Sequence, residues 1–151
     1  MERPPTPTIL VVEDEPSMRQ LLLRLLTKAG FDVRVSATGR AALPHIGHVD
    51  LMVLDYRLPD GTGADIVRAA LVERGVDAPP AILLTGTPED VVPHERSLFA
   101  EIRTKPCRLG EVRDLARALL ANRRQRTKSG VEVAVGHEAN DADGIDREGQ
   151  G

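Results

Sequence analysis

Four consecutive apolar residues, Leu51-Met52-Val53-Leu54, run directly into the carboxylate of Asp55 and then into the turn-rich Pro59-Asp60-Gly61. A strand that is apolar at every residue, rather than at alternate ones, is buried on both faces. That pattern belongs to a central strand of a parallel sheet covered by helices on two sides. A charge at the end of such a strand is costly unless the chain emerges there into a partly solvated site. A second run, Ile9-Leu10-Val11-Val12, delivers Glu13, Asp14 and Glu15 in the same way, and later strands deliver Thr85 and Lys105. Acids, a hydroxyl and an ammonium thus collect at carboxyl ends of strands, where open α/β sheets place their ligands.

Short β-branched or leucine-rich runs alternate with segments of helical period, so the chain reads as βα repeated five times: an α/β, doubly wound five-stranded parallel sheet. Strands are expected near 8–12, 32–35, 51–54, 81–84 and 100–103. The first helix begins at Pro16 with Met18, Leu21, Leu22 and Leu25 on one face, and Gly30 suits its C′ position. Pro44 should shorten or kink the second helix, which starts at Gly39. Thr62 with Asp65 forms an N-cap pair for the third, and Gly75 can close it. Thr87-Pro88-Glu89-Asp90 opens the fourth with a cap, but Pro93 follows too soon, so that helix should be short or irregular. Leu109, Val112, Leu115, Ala116, Leu119 and Leu120 form the core stripe of the fifth.

Length and charge exclude several classes. The chain has 151 residues, enough for one core of about 120 residues that buries roughly two-thirds of its unfolded surface, with no room for a second ordinary domain. Residues 1–7 read as a disordered lead, 8–122 as the domain, and 123–151 as a basic and then acidic disordered tail. A net charge of −3 gives no global attraction to phosphate backbones or anionic membranes, so neither nucleic acid nor membrane is expected as a partner. The single cysteine, Cys107, excludes a disulfide framework, and no run approaches the ~20 apolar residues of a membrane span. A reducing cytoplasmic location is the expectation. Cys107 reads as packing, and His45, His48, His94 and His137 lack ligand-like spacing.

Carboxylates brought close together repel, and the arrangement persists most easily around a hard divalent cation, which points to Mg²⁺. With that charge offset, one carboxylate can act as a nucleophile towards phosphorus while an ammonium and a hydroxyl hold the equatorial oxygens. Lys105 and Thr85 supply those groups. Four stretches, Val12-Glu13-Asp14-Glu15-Pro16, Leu54-Asp55-Tyr56-Arg57-Leu58-Pro59-Asp60-Gly61, Leu84-Thr85-Gly86 and Thr104-Lys105-Pro106, in this order and spacing resemble the motifs of response-regulator receiver domains over about 8–122. The resemblance implies a flavodoxin-like strand order 2-1-3-4-5 with the site at the switch point. It makes Asp55 the phosphoacceptor, with Asp14 and the Arg57 backbone carbonyl joining Asp55 as Mg²⁺ ligands and Glu13 acting largely through a metal-bound water. Thr85 and Lys105 contact the phosphoryl group, Arg57 and Thr87 tune its lifetime, and the Lys105-Pro106 bond is cis. The phosphoryl group would come from a histidine kinase or a histidine phosphotransfer protein, and the signal would pass by contact to a downstream protein.

Several residues depart from that pattern. Three residues before the lysine, where receivers commonly carry a switching aromatic, stands Ile102, so the output should not follow the usual threonine–aromatic coupling. Arg57 could pair with phosphoryl oxygens or with an acid of the fourth helix such as Glu89. Arg123, Arg124, Arg126 and Lys128 read as a solvated helix end. No output module follows in the sequence, and the tail reads as an end rather than a linker, so a stand-alone regulator is expected over a piece of a hybrid kinase or longer regulator. An aspartate-nucleophile, Mg²⁺-dependent phosphatase is the competing class. It would want a second aspartate where Arg57 stands and a cap insertion for which there is little room. A receiver-like interaction module that is never phosphorylated is the third reading.

Overall fold

The computed structural model describes residues 5–128, with side chains through Gln125. The strands β1 (Thr8–Val12), β2 (Asp32–Ser36), β3 (Leu51–Asp55), β4 (Ala81–Thr85) and β5 (Glu101–Thr104) form one parallel sheet. Their order is β2-β1-β3-β4-β5, as expected for a flavodoxin-like fold. β3 lies between β1 and β4, and Leu51 to Leu54 are fully buried, which is why that run carries no polar alternation. Leu10, Val12, Met52, Leu54, Ala81 and Leu83 face one layer with Ala42, Ile46, Ala64, Ile66, Val67 and Ala70. Their sequence neighbours Ile9, Val11, Leu51, Val53, Ile82 and Leu84 point the other way and are equally buried.

Helix α1 (Pro16–Lys28) opens with Glu15 as its N-cap, the Glu15 carboxylate accepting from the Met18 amide at 2.7 Å, and Pro16 occupies the first helical position. Its buried residues are Leu22 and Leu26. Leu21, expected on that face, is 49% exposed, because α1 packs over β1 and β2 along a stripe one residue further round. Helix α2 (Gly39–Ala42) is a single turn that passes into 3-10 helix over Leu43–His48, as a proline at position 44 requires. Helix α3 (Gly63–Arg74) has the complete capping box. The Thr62 hydroxyl accepts from the Asp65 amide at 3.3 Å, and the Asp65 carboxylate accepts from the Thr62 amide at 3.0 Å. Gly75 ends the helix at φ +57°.

The segment between β4 and β5 contains no α-helix. It is two 3-10 turns, Pro88–Asp90 and Pro93–Leu98, each opened by a proline. Thr87 does not cap the first turn with its side chain; its amide instead donates to the Thr85 hydroxyl at 3.0 Å. Sequence patterning also gave no sign of a small antiparallel hairpin, Arg57–Leu58 against Gly61–Thr62, directly after β3. Asp60 at its tip ties it to α2, accepting from the Gly39 and Arg40 amides at 2.9 Å each.

Helix α4 (Leu109–Lys128) runs past the domain boundary expected at Asn122 and takes in the basic run, which the sequence marked as a helix end. Val112, Ala116 and Leu120 are its most buried stripe residues. At the other end, Pro7 was expected in an irregular lead, yet its carbonyl already accepts from the Asp32 amide at 3.0 Å. The expected acidic tail from Glu132 onward and residues 1–4 lie outside the described residues. The described residues divide after Leu119 into two units; the sheet and the site belong to the first.

Gly63 fixes how closely α3 approaches the end of β3. A Cβ there would stand 2.6 Å from the Asp55 carbonyl oxygen and 3.3 Å from side-chain atoms of Leu54 and Leu83. Backbone on one side and core on the other leave nothing flexible to yield. Gly63→Ala should therefore lower stability in denaturant titration by about 1–3 kcal/mol and shift the Asp55 amide resonance. A neutral substitution with an unmoved Asp55 signal would show that α3 has slack here.

Candidate functional site

Parallel register aligns the carboxyl ends of four strands. Val12 pairs with Leu54, Asp55 with Leu84, and Thr85 with Thr104, so Glu13, Asp55, Thr85 and Lys105 leave the sheet at neighbouring levels. The Lys105 amide donates to the Thr85 carbonyl at 2.8 Å, and the Lys105-Pro106 peptide is cis. From there the Lys105 ammonium donates to Glu13 Oε1 at 2.8 Å and lies 3.4 Å from Asp55 Oδ2. The other Glu13 oxygen accepts from the Glu15 amide at 3.1 Å, so this almost fully buried carboxylate has both oxygens engaged. Arg19 of α1 fixes the loop from behind, donating to the carbonyls of Glu13 and Asp14 at 3.0 and 3.3 Å.

Glu13, Asp14 and Asp55 each place one carboxylate oxygen within 4.8 Å of the others. Glu13 is buried, Asp55 half-buried and Asp14 exposed, so the cluster opens to solvent on one side. Three hard oxygen donors with an open side fit Mg²⁺, which keeps part of its water shell. Burial, and then the charge of Glu13, push the Asp55 carboxyl up to about 6, with Lys105 pulling in the opposite direction. Burial on its own would weaken the Lys105 ammonium, but the bond to Glu13 and the charge of Asp55 outweigh it and raise its pKa.

The structure thus brings Glu13, Asp14, Asp55 and Lys105 together. Thr85 ends the neighbouring strand, buried, its hydroxyl accepting from Thr87. Arg57 is exposed and its guanidinium goes elsewhere: Nε donates to Asp90 at 2.9 Å and a second nitrogen reaches the same oxygen. Of the partners expected, phosphoryl oxygens or an acid of the fourth helix such as Glu89, Arg57 takes an acid of that segment, Asp90 in the 3-10 turn Pro88–Asp90 rather than Glu89. Ile102 is partly buried against the core cluster.

One network was not foreseen at all. Tyr56, next to Asp55, is buried, and its hydroxyl donates to Glu95 Oε1 at 2.7 Å. The other Glu95 oxygen accepts from Arg68 of α3 at 2.6 Å. The Tyr56 bond and then the Arg68 guanidinium hold Glu95 below the usual carboxylate range, and the same bond raises the Tyr56 phenol. Glu95 follows a helix-breaking proline in an otherwise polar stretch, so nothing in the local pattern marks it as buried.

The family profile of the response regulator receiver domain matches residues 9–117, and the chain belongs to that family. It is 35% identical over 107 residues to the luminescence regulatory protein LuxO of Vibrio campbellii, covering 68% of this chain and 23% of LuxO. It is 36% identical over 85 residues to the DNA-binding response regulator MtrA of Mycolicibacterium smegmatis, covering 55% of this chain and 36% of MtrA. It is 35% identical over 80 residues to the chemotaxis protein CheY of Pseudomonas aeruginosa, covering 51% and 64%. The chain thus spans about a quarter of LuxO. Among solved structures, the receiver domain of a LuxO repressor protein from Vibrio parahaemolyticus superposes with a TM-score of 0.72 at 22% identity, covering 83% of this chain and 98% of that one. The response regulator TrrA of Thermotoga maritima, in complex with Mg²⁺ and BeF, does so at 0.67 and 26%, covering 76% and 99%. This is therefore a receiver domain of two-component signalling, and the phosphatase reading finds no support. The expectation that nucleic acid plays no part is not supported either, since MtrA is a DNA-binding regulator. No helix among the described residues is long and apolar enough to cross a membrane.

The raised Asp55 pKa makes stability depend on pH in a definite direction. A carboxyl held near 6 in the folded chain but near 3.8 when unfolded binds its proton more tightly in the native state. It therefore favours folding when protonated, and that advantage is lost as pH rises through about 6. In metal-free buffer Asp55→Asn should be more stable than the parent at pH 7.5, by something on the order of 2 kcal/mol. The difference should shrink as pH falls from about 6 towards 4. A gap that widens on acidification would show that Asp55 is stabilised as the anion.

Proposed function

We propose that Asp55 is the phosphoacceptor of this receiver, and the contact that carries the reading is Lys105 bridging Glu13 and Asp55 at the carboxyl ends of the sheet. A histidine kinase or histidine phosphotransfer protein presents a phosphohistidine. An Asp55 oxygen attacks phosphorus, the P–N bond breaks, the imidazole departs with the electron pair, and an acyl phosphate remains on Asp55. Lys105 offers its ammonium, and Thr85 its hydroxyl, to the equatorial oxygens as charge spreads over them. Glu13, Asp14, Asp55 and the Arg57 backbone carbonyl are the groups that would hold Mg²⁺, Glu13 largely through water; the ion supplies charge neutralisation when bound. Arg57 and Thr87 border the site and set how easily water reaches the phosphoryl group. Beyond taking up and slowly losing its own phosphoryl group, the domain turns over no substrate. It works in the cytoplasm, and its signal passes by contact to a downstream protein.

Intact mass spectrometry after incubation with acetyl phosphate and Mg²⁺ should show one phosphoryl group on the parent chain and none on Asp55→Ala. Lys105→Ala should label far more slowly. Steady turnover of a free phosphomonoester with no labelled chain would favour the phosphatase instead.

Metal binding has a separate readout. Mg²⁺ at 100 times its dissociation constant should stabilise the parent by about 2.7 kcal/mol through mass action, seen as a rise in melting temperature. Asp14→Asn, which removes a charged ligand without disturbing the Lys105 contacts, should abolish most of that rise. An undiminished rise in Asp14→Asn would place the ion elsewhere.

A further inference from the structure

The segment between β4 and β5 is held in place from outside. Two 3-10 turns of three and six residues have a poor hydrogen-bond ladder of their own, and both begin at prolines that lack an amide. Side chains hold the position instead. Val91 and Phe99 are buried in the core cluster, and two polar tethers reach the segment from consecutive residues directly after the phosphoacceptor. Tyr56 bonds to buried Glu95 of the second turn, and Arg57 bonds to Asp90 of the first. Glu95 is also clamped by Arg68, so a shift of Tyr56 leaves a buried carboxylate short of a donor, which the chain can relieve only by moving the segment. Meanwhile the usual place for an aromatic relay holds Ile102, which has no polar group with which to report anything.

We infer that segment 88–98 is the output element of this receiver, and that the state of Asp55 reaches it through the Tyr56–Glu95 and Arg57–Asp90 tethers rather than through position 102. This rests on the proposed phosphoacceptor role of Asp55. The physical route is short. Tyr56 shares a peptide bond with Asp55, its ring is a rigid lever with two side-chain torsions, and its far end is already bonded to the element that must move. The Arg57 tether responds to charge: a phosphoryl dianion on Asp55 competes with Asp90 for one exposed guanidinium. Phosphorylation thus loosens the Asp90 side while displacing the Glu95 side, and segment 88–98 changes its exposure as a unit.

Amide hydrogen exchange on the full chain, with and without Mg²⁺ and beryllofluoride, tests this, with acetyl phosphate labelling run beside each variant. The parent should change exchange rate across 88–98 by about five-fold or more, the scale of roughly one kcal/mol. Tyr56→Phe, which keeps the ring packed and removes only the hydroxyl, combined with Asp90→Asn, should cut that change to a small fraction while Asp55 still labels. Ile102→Ala should leave it in place. A full response at 88–98 in the tether variant, or its loss in Ile102→Ala, overturns the inference. Absence of label on Asp55 in the parent overturns the phosphoacceptor reading itself, and the two failures are told apart by the mass spectrum.

Discussion

The Lys105 ammonium between Glu13 and Asp55 is the interaction on which the site depends. Two carboxylates at the ends of adjacent buried strands repel, and burial adds to the cost of charging them. Lys105 offsets that cost only incompletely, as the raised Asp55 pKa records. A site poised this way has an unmet demand for positive charge, which a divalent cation can satisfy from the open side where Asp14 stands. The fold meets the demand on geometry because parallel strands end together, and the long lysine side chain reaches back from β5 to β1.

The same economy runs through the loops that support the site. Glu15 caps α1 instead of joining the acidic cluster, Arg19 ties down the carbonyls of Glu13 and Asp14, and Asp60 joins the hairpin after β3 to α2. Gly63 lets α3 begin almost on top of the Asp55 carbonyl. Charged residues that look alike in the sequence therefore split into two groups. Some are used to position backbone, and Glu13, Asp14 and Asp55 are left grouped at the ends of the sheet.

The segment after β4 has no regular helix. Prolines at 88 and 93 deny it a regular helix, and its place is kept by contacts with Tyr56, Arg57 and Arg68 rather than by its own backbone. The loop after β3 is thereby tied to this surface segment through side-chain bonds that are absent from the local sequence pattern.

The alternation of five strands with helices and the residues at the strand ends, Glu13, Asp14, Asp55, Thr85 and Lys105, were legible in the sequence, because unbroken apolar runs and the polar residues that end them are local signals read by burial; the strand order came only with the resemblance to receiver domains. The short second helix at Pro44 and the irregular segment around Pro93 were legible for a different reason, since proline lacks the amide that a helix interior needs. The chain alone did not reveal that Leu21 faces solvent, that Arg57 chooses Asp90 over Glu89, or that Glu95 is buried against Tyr56 and Arg68. Each of those depends on how far one element is rotated or advanced against another. Partner choice among exposed acids, and the burial of a charge beside a proline turn, are decided only when residues distant in sequence are packed together, since the energy that selects them is made in those contacts and nowhere else.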